Sequence, residues 1–199
     1  YLRKGKALEG QQKLKEALTR ILAAVTFNKK ALIVVDCDCD GYTSAALLIN
    51  YLNNLFPTWV ENCLDWYMHE GKQHGLNDCM DYILQNDYFL IICPDSSSND
   101  YKEHETLKNK NIDVIVLDHH LADHISEHAI IINNQLSDYP NKELSGVGVV
   151  WQFCRFIDSI IETNYSNNFL DLVALGNCGD MMSLKSLETR YLIIKGFKK

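Results

Sequence analysis

Short apolar runs rich in β-branched residues recur along the first two thirds of the chain, each spaced from the next by a helix-length segment. "ALIVV" (31–35), "YFLIIC" (88–93), "IDVIVL" (112–117) and "AIII" (129–132) read as buried strands. A further strand is expected over Trp59–Met68. Helical spacing of Leu14, Leu18, Ile21, Leu22 and Val25 predicts an amphipathic helix over 6–25. After Gly41 a helix runs to about Leu55, with Thr43 or Ser44 as cap. Helices are also expected over Leu76–Gln85, with Asn77 as cap, and over Tyr101–Lys110. From Ser145 the pattern turns wholly helical, over about 145–162, 167–176 and 186–198.

Strands alternating with helices imply a parallel sheet covered on both faces. The expected fold is α/β: a Rossmann-like, mainly parallel five-stranded sheet with helices on both faces, followed by a helical C-terminal segment. The core spans 31–135 and the helical segment 145–199. With 199 residues, 47% of them hydrophobic, the chain suits one domain. No apolar run reaches membrane-span length and no signal-peptide pattern opens the chain. The start at Tyr1 and the end in "KGFKK" suggest a piece of something longer.

Ligands of such sheets bind beyond the carboxyl ends of the strands, and the acids gather there. Asp36, Asp38 and Asp40 follow the first apolar run, Asp95 follows "YFLIIC", and Asp118, His119 and His120 follow "IDVIVL". Asp180 lies in "ALGNCGDMM", after an expected helix. One aspartate after a strand is ordinarily a cap or turn residue. Three strand ends converging on one edge are hard to assign to capping, because crowded carboxylates repel unless cations neutralise them. Carboxylate with imidazole suits Mn2+ or Mg2+, whereas structural zinc would want more thiolate.

"VVDCDCDG" also carries two of the seven cysteines. No C-x-x-C pair occurs, so the thiols read as buried and reduced, in a cytoplasmic protein. If 36–40 stays extended, its aspartates share one side and Cys37 and Cys39 pack into the sheet–helix layer; the periodicity leaves open whether it does. Net charge is −7, with a local +6 over residues 1–30, leaving −13 on the remainder. An acidic body argues against broad nonspecific nucleic-acid binding, though bound metal ions could offset it. The basic first helix reads as a solvated face.

"DCDCDGYTSAAL", "PDSSS", "VIVLDHH", "ELSGVGVVW" and "LDLVALGNCGDMMSLKSLETRYLI" resemble the successive motifs of the DHH phosphoesterase superfamily. Order and wording resemble its RecJ branch, single-strand-specific 5′→3′ DNA exonucleases, over roughly residues 10–199; "HGLN" (74–77) resembles a RecJ-like loop segment. The resemblance implies one catalytic domain over 1–199 and two divalent ions, Mn2+ first with Mg2+ as the alternative. Asp38 would bind one ion and Asp40 the other, Asp95 would bridge them, His119 and Asp180 would complete the second site, and Asp36 would support the first. Asp118 and His120 would orient ligands and touch phosphate. Ser96, Ser97, Ser98 and Arg190 are further candidates for phosphate contact.

Two departures stand out. Many superfamily members have a histidine where this chain has Val34, which weakens a pyrophosphatase reading and puts the first ion's ligand set in question. The family's C-terminal DHH-associated domain is expected to be absent, so the fragment can bind metal and yet lack full activity. Single-stranded nucleic acid is the expected partner, in repair or recombination; no membrane is implied and protein partners are not readable. The rivals are a phosphodiesterase for short oligonucleotides or cyclic dinucleotides, and a non-catalytic RecJ-like replication scaffold. Such scaffolds lose metal acids, and all are present here.

Overall fold

The computed structural model describes residues 11–71 and 73–199. One sheet holds β1 (Ala31–Val35), β2 (Leu64–Met68), β3 (Leu90–Pro94), β4 (Asp113–Asp118) and β5 (Ile130–Asn133). Its order is β2-β1-β3-β4-β5, and every neighbouring pair is parallel. Parallel sheets bury both faces, which makes their strands continuously apolar. Accordingly β1, β3 and β5 are buried at every position.

Eight α-helices are present among the described residues: α1 (Gln11–Thr26), α2 (Cys39–Leu55), α3 (Pro57–Cys63), α4 (Met80–Gln85), α5 (Tyr101–Asn109), α6 (Gly146–Ile161), α7 (Leu170–Gly179) and α8 (Leu187–Gly196). Alternation along the strands splits the core in two. Ile33, Val35, Ile92 and Leu117 pack with Ile21 of α1, Leu48 of α2 and Phe153 of α6. On the other face Leu32, Val34, Ile91 and Val116 pack with Ile83 of α4 and Leu107 of α5. The α/β fold with helices on both faces and a helical C-terminal segment is therefore as the sequence implies. The part of the expected first helix before residue 11 lies outside the described residues.

Three local expectations are corrected. The stretch from Trp59 is not one strand: Pro57 sits in the first turn of α3, where its missing N–H is harmless, and only Leu64–Met68 is extended. β2 is an edge strand whose Trp66 and Met68 are exposed, so its pattern is mixed. Asn77 does not cap with its side chain; a 3-10 turn over Asn77–Cys79 precedes α4. The cap of α2 is Asp38, which accepts from the Gly41 amide at 2.8 Å, while Thr43 lies inside the helix and donates to the Cys39 carbonyl.

The C-terminal helices brace the carboxyl edge of the sheet. Glu188 of α8 accepts from Tyr139 Oη (2.7 Å), Asn141 Nδ2 (2.9 Å) and Gln152 Nε2 (2.8 Å), tying α8 to α6 and to the segment before it. Glu188→Ala removes these three bonds, leaving Tyr139 Oη without its acceptor while Asn141 Nδ2 keeps Thr189 Oγ1 (3.1 Å) and Gln152 Nε2 keeps Tyr139 Oη (2.7 Å). That variant should lose about 1–2 kcal/mol of stability, read by chemical denaturation, and Glu188→Gln should lose less.

Candidate metal centre

The strand order reverses between β1 and β3, since β2 lies to one side of β1 and β4 and β5 lie beyond β3. Chains leaving the two strands diverge there and open a cleft at their carboxyl ends. Asp36 leaves β1, Asp95 leaves β3, and Asp118 ends β4 with His119 and His120 behind it.

The backbone does not stay extended through Asp40. β1 stops at Val35 and α2 starts at Cys39, so the three aspartates occupy different surroundings. Asp36 is buried and Asp38 exposed at the helix cap. Asp40 is buried against the amino end of α6. Its Oδ1 accepts from Ser145 Oγ (2.9 Å) and the Val147 amide (3.1 Å), and its Oδ2 from the Gly146 amide. A helix N-terminus suits an anion, which gives "SGVG" its purpose. Burial still raises the Asp40 pKa, opposed by His119, the Val147 amide and Ser145. Close approach requires glycine here: a Cβ at Gly146 would collide with the Asp95 carboxylate, and one at Gly176 with that of Asp40.

Asp95 and Asp118 follow neighbouring strands yet differ electrostatically. Burial would raise the Asp118 pKa, but hydrogen bonds to the carboxylate outweigh it and hold Asp118 well below its ordinary range. Those donors are the amides of Ser98 (3.1 Å), His119 (2.7 Å) and His120 (3.2 Å), with His120 Nδ1 at 2.8 Å. The same bond raises the His120 pKa. Asp95 has no such set. Its backbone is left-handed, φ 69°, and its Oδ1 lies in the cleft, 3.3 Å from His119 Nε2. Its Oδ1 is buried with no hydrogen-bond donor. Burial first, then Asp40 and Asp118, push its pKa well above the ordinary carboxylate range.

His119 Nε2 completes the picture. It lies 3.3 Å from Asp95 Oδ1, 3.3 Å from Asp180 Oδ2 and 3.8 Å from Asp40 Oδ2, and makes no satisfactory hydrogen bond. Asp180 reaches this point as the C-cap of α7. Asp36, Asp38 and Asp95 form one group whose ligand atoms lie within 4.8 Å of one another, and Asp40, His119 and Asp180 form a second. Asp95 with His119 and His120 forms a third, which joins them. Two orphaned buried atoms, Asp95 Oδ1 and His119 Nε2, converge among carboxylates. Oxygen and imidazole donors fit hard-to-borderline divalent cations.

The remaining candidates stand elsewhere. Ser96, Ser97 and Ser98 are buried, and Ser98 is committed within the protein: its amide holds Asp118 and its hydroxyl accepts from Asn133. Arg190 is exposed on α8, and no hydrogen bond or ion pair joins its side chain to the acids among the described residues. The expectation that Cys37 and Cys39 pack into the sheet–helix layer is corrected. Cys37 Sγ meets Tyr42 Oη at 3.3 Å near the surface and Cys39 is exposed, because the turn into α2 ends the strand alternation. Burial, then Asp40 and Asp38, raise the Cys39 pKa. Cys79, Cys93 and Cys154 are buried as expected, whereas Cys63 is half-buried and Cys178 is exposed near the end of α7. A groove lined by Lys13, Arg20 and Lys108 lies at the amino ends of β4 and β5, the opposite edge of the sheet. Two of these bases are engaged by Asp113, Arg20 at 3.5 Å and Lys108 at 3.2 Å.

Two residues of this centre go beyond the expected set. Ser145 and the first amides of α6 cradle Asp40; an N-cap serine before "GVG" and an apolar helix is a readable signal for that. His74 Nδ1 meets Asp36 Oδ2 at 2.8 Å, a contact across 38 positions that spacing could not reveal.

Fold and site together define a parallel α/β domain that gathers carboxylates and imidazole at the topological switch point. The chain belongs to the DHH family, whose N-terminal domain matches residues 30–177. It is 42% identical over 174 residues to YorK of Bacillus subtilis (strain 168), provisionally named an SPbeta prophage-derived single-strand DNA-specific exonuclease, covering 86% of this chain and 29% of YorK. It is 29% identical over 195 residues to the single-stranded-DNA-specific exonuclease RecJ of the same strain, covering 94% of this chain and 23% of that protein. This chain thus spans less than a third of the length of either. Among solved structures it is similar to exonuclease RecJ bound to manganese (TM-score 0.81, 20% identity, covering 94% of this chain and 48% of that one). It is similar also to RecJ of Thermus thermophilus in complex with Mn2+ (TM-score 0.79, 21% identity, covering 98% and 28%).

The raised carboxylates have a pH consequence. On unfolding, Asp40 and Asp95 return to the ordinary range, so the folded chain holds more protons just above it. Metal-free stability therefore falls as pH rises through the elevated values. A divalent cation binds the ionised carboxylates and should relieve that loss. The melting-temperature gain from saturating Mn2+ should be larger at about pH 8 than at about pH 5. His104, held down to about 4 chiefly by burial, has the opposite slope but cancels in the difference with and without the ion. A gain that shrinks with pH would contradict this assignment.

Proposed function

We propose that this chain is the metal-bearing domain, over 1–199, of a RecJ-like nuclease that hydrolyses phosphodiester bonds, with single-stranded DNA degraded 5′→3′ as the substrate. The observation that carries the reading is the pair of ligand groups, Asp36–Asp38–Asp95 and Asp40–His119–Asp180, with Asp95 Oδ1 and His119 Nε2 unsatisfied between them. Two divalent ions, Mn2+ first and Mg2+ second, would supply Lewis acidity toward phosphate and lower the pKa of water. Asp36 and Asp38 would hold the first ion, Asp40, His119 and Asp180 the second, and Asp95 would serve both.

The protein's own part is positioning and charge. Asp40 is fixed by the amino end of α6, so it stays in place when neighbouring charges change. Asp118 serves as an anchor: its Oδ1 accepts from the His119 and His120 amides and from His120 Nδ1, and its Oδ2 from the Ser98 amide, which fixes the turn that carries His119. A carboxylate only accepts, so His120 Nδ1 carries the proton of that bond, and its half-exposed ring, when protonated at Nε2 as well, can donate from there to a phosphate oxygen. Every acid at the centre is thus a ligand or an anchor, and none is left as a free general base. The names and RecJ likeness of the relatives support DNA as substrate. An equal chemistry on short oligonucleotides or cyclic dinucleotides would use the same residues. Retention of all the metal acids argues against a non-catalytic scaffold.

Calorimetric titration should find about two Mn2+ per chain. In a longer protein that contains this domain, Asp95→Ala should remove most Mn2+-dependent hydrolysis, by at least ~10²-fold, without unfolding it. Comparing 5′-phosphorylated single-stranded DNA, a dinucleotide and a cyclic dinucleotide tests the substrate. Cleavage of only the short ones overturns the DNA assignment, and full activity of Asp95→Ala overturns the metal centre.

A further inference from the structure

We infer that His74 is a positioning residue for the first divalent ion, acting through Asp36; the inference rests on the two-ion reading above. The carboxylates of the centre differ in what holds them. Asp38 has the Gly41 amide, Asp40 has Ser145 and two amides of α6, and Asp118 has three amides and an imidazole. Among the described residues Asp36 has no backbone donor, and its carboxylate receives one hydrogen bond, from His74 Nδ1 to Oδ2 at 2.8 Å. Asp36 is nonetheless buried and shares a ligand group with Asp38 and Asp95. A lone buried carboxylate beside two others is repelled by both. Its orientation toward an ion then depends on the single donor it has.

The loop that brings His74 is built for the purpose. Immediately after it, the Gly75 carbonyl meets His69 Nε2 at 2.8 Å and the Leu76 amide donates to Asp100 Oδ2 at 2.8 Å. Leu76 is itself fully buried in the core below β1, and His69 and its partner atom are buried too. Gly75 is left-handed, φ 71°, with the Asp100 carboxylate packed where a side chain would stand. These anchors fix the backbone on one side of the imidazole. On its other flank the His74 ring meets His120 edge-on, with centroids 5.5 Å apart. His120 is tied to Asp118 through its own Nδ1. The two walls of the cleft are thereby braced against each other by paired Asp–His units. Val34 of β1 is buried in the same apolar core as Leu76 and offers no donor to the cleft, so the imidazole on this wall comes from the loop after β2.

The test separates the two ring nitrogens. Asparagine places its amide nitrogen where histidine has Nδ1, whereas glutamine places its own nearer to Nε2. Metal-free wild type, His74→Ala, His74→Asn and His74→Gln are titrated calorimetrically with Mn2+ at one pH. Wild type should take up two ions. His74→Ala should bind one of them unchanged and the other at least about tenfold more weakly. His74→Asn should bind both nearly as wild type, and His74→Gln should follow alanine. All should remain folded without metal at the titration temperature, with His74→Ala melting somewhat lower because Asp36 loses its donor. Unchanged binding by His74→Ala, rescue by glutamine but not asparagine, or an equal weakening of both ions each overturns the positioning role. Wild type taking up no ion would instead sink the two-ion reading, and this inference with it.

Discussion

Mutual repulsion of carboxylates at one sheet edge is the constraint around which the rest of this molecule is arranged. Asp36, Asp40, Asp95 and Asp118 are all buried, and a buried carboxylate is stable as an anion only with donors or counter-charge around it. The protein solves this separately at each position. Asp118 is satisfied by four N–H groups and its pKa falls. Asp95, one strand away, has an oxygen with none, and its pKa rises. The contrast separates the two: the first is satisfied within the protein, the second keeps an oxygen that no donor among the described residues satisfies.

Topology delivers these groups, and helix termini complete them. The reversal between β1 and β3 opens the cleft, but strands alone would leave Asp40 exposed to its neighbours' charge. The amino end of α6 supplies the compensating amides, and the carboxyl end of α7 brings Asp180 to His119. Helices far along the sequence are therefore part of the site. Gly146 and Gly176 let their backbones come against Asp95 and Asp40, where any side chain would intrude.

Much of this is legible in sequence, for physical reasons. Strands buried on both faces must be apolar throughout, so β1, β3, β4 and β5 announce themselves, and the acids behind them can be placed on one edge. β2 is harder because it is an edge strand, half solvated and entered directly from a proline-started helix. The run after Val35 misleads on the cysteines for a related reason. Strand alternation predicts side-chain direction only while the chain stays extended, and Asp38 ends that by capping α2. Contacts that join distant segments, Asp40 to α6 and Asp36 to His74, follow from packing and leave no spacing to read. The buried serines after Asp95 show the same limit: composition suggests an open polar loop, while the fold spends the Ser98 amide on Asp118.

The backbone after β3 adds a constraint of its own. Asp95 and Ser97 both have positive φ, 69° and 78°, in a segment where neither is glycine. Left-handed geometry in a non-glycine residue costs about 1–2 kcal/mol, less for aspartate than for most. Glycine would relieve that strain at position 95 but would remove the carboxylate. The fold thus keeps two unfavourable features at one residue, a left-handed backbone and an unsatisfied buried oxygen. Core packing of Ile91 and Ile92 beneath it, and the Asp95 amide bonded to the Leu117 carbonyl at 2.8 Å, hold it there. Such a combination persists only where the surrounding structure overdetermines it. Strain and missing donor thus coincide at Asp95, which shares one ligand group with Asp36 and Asp38 and another with His119 and His120, and that coincidence is the strongest physical reason to propose cations at this edge.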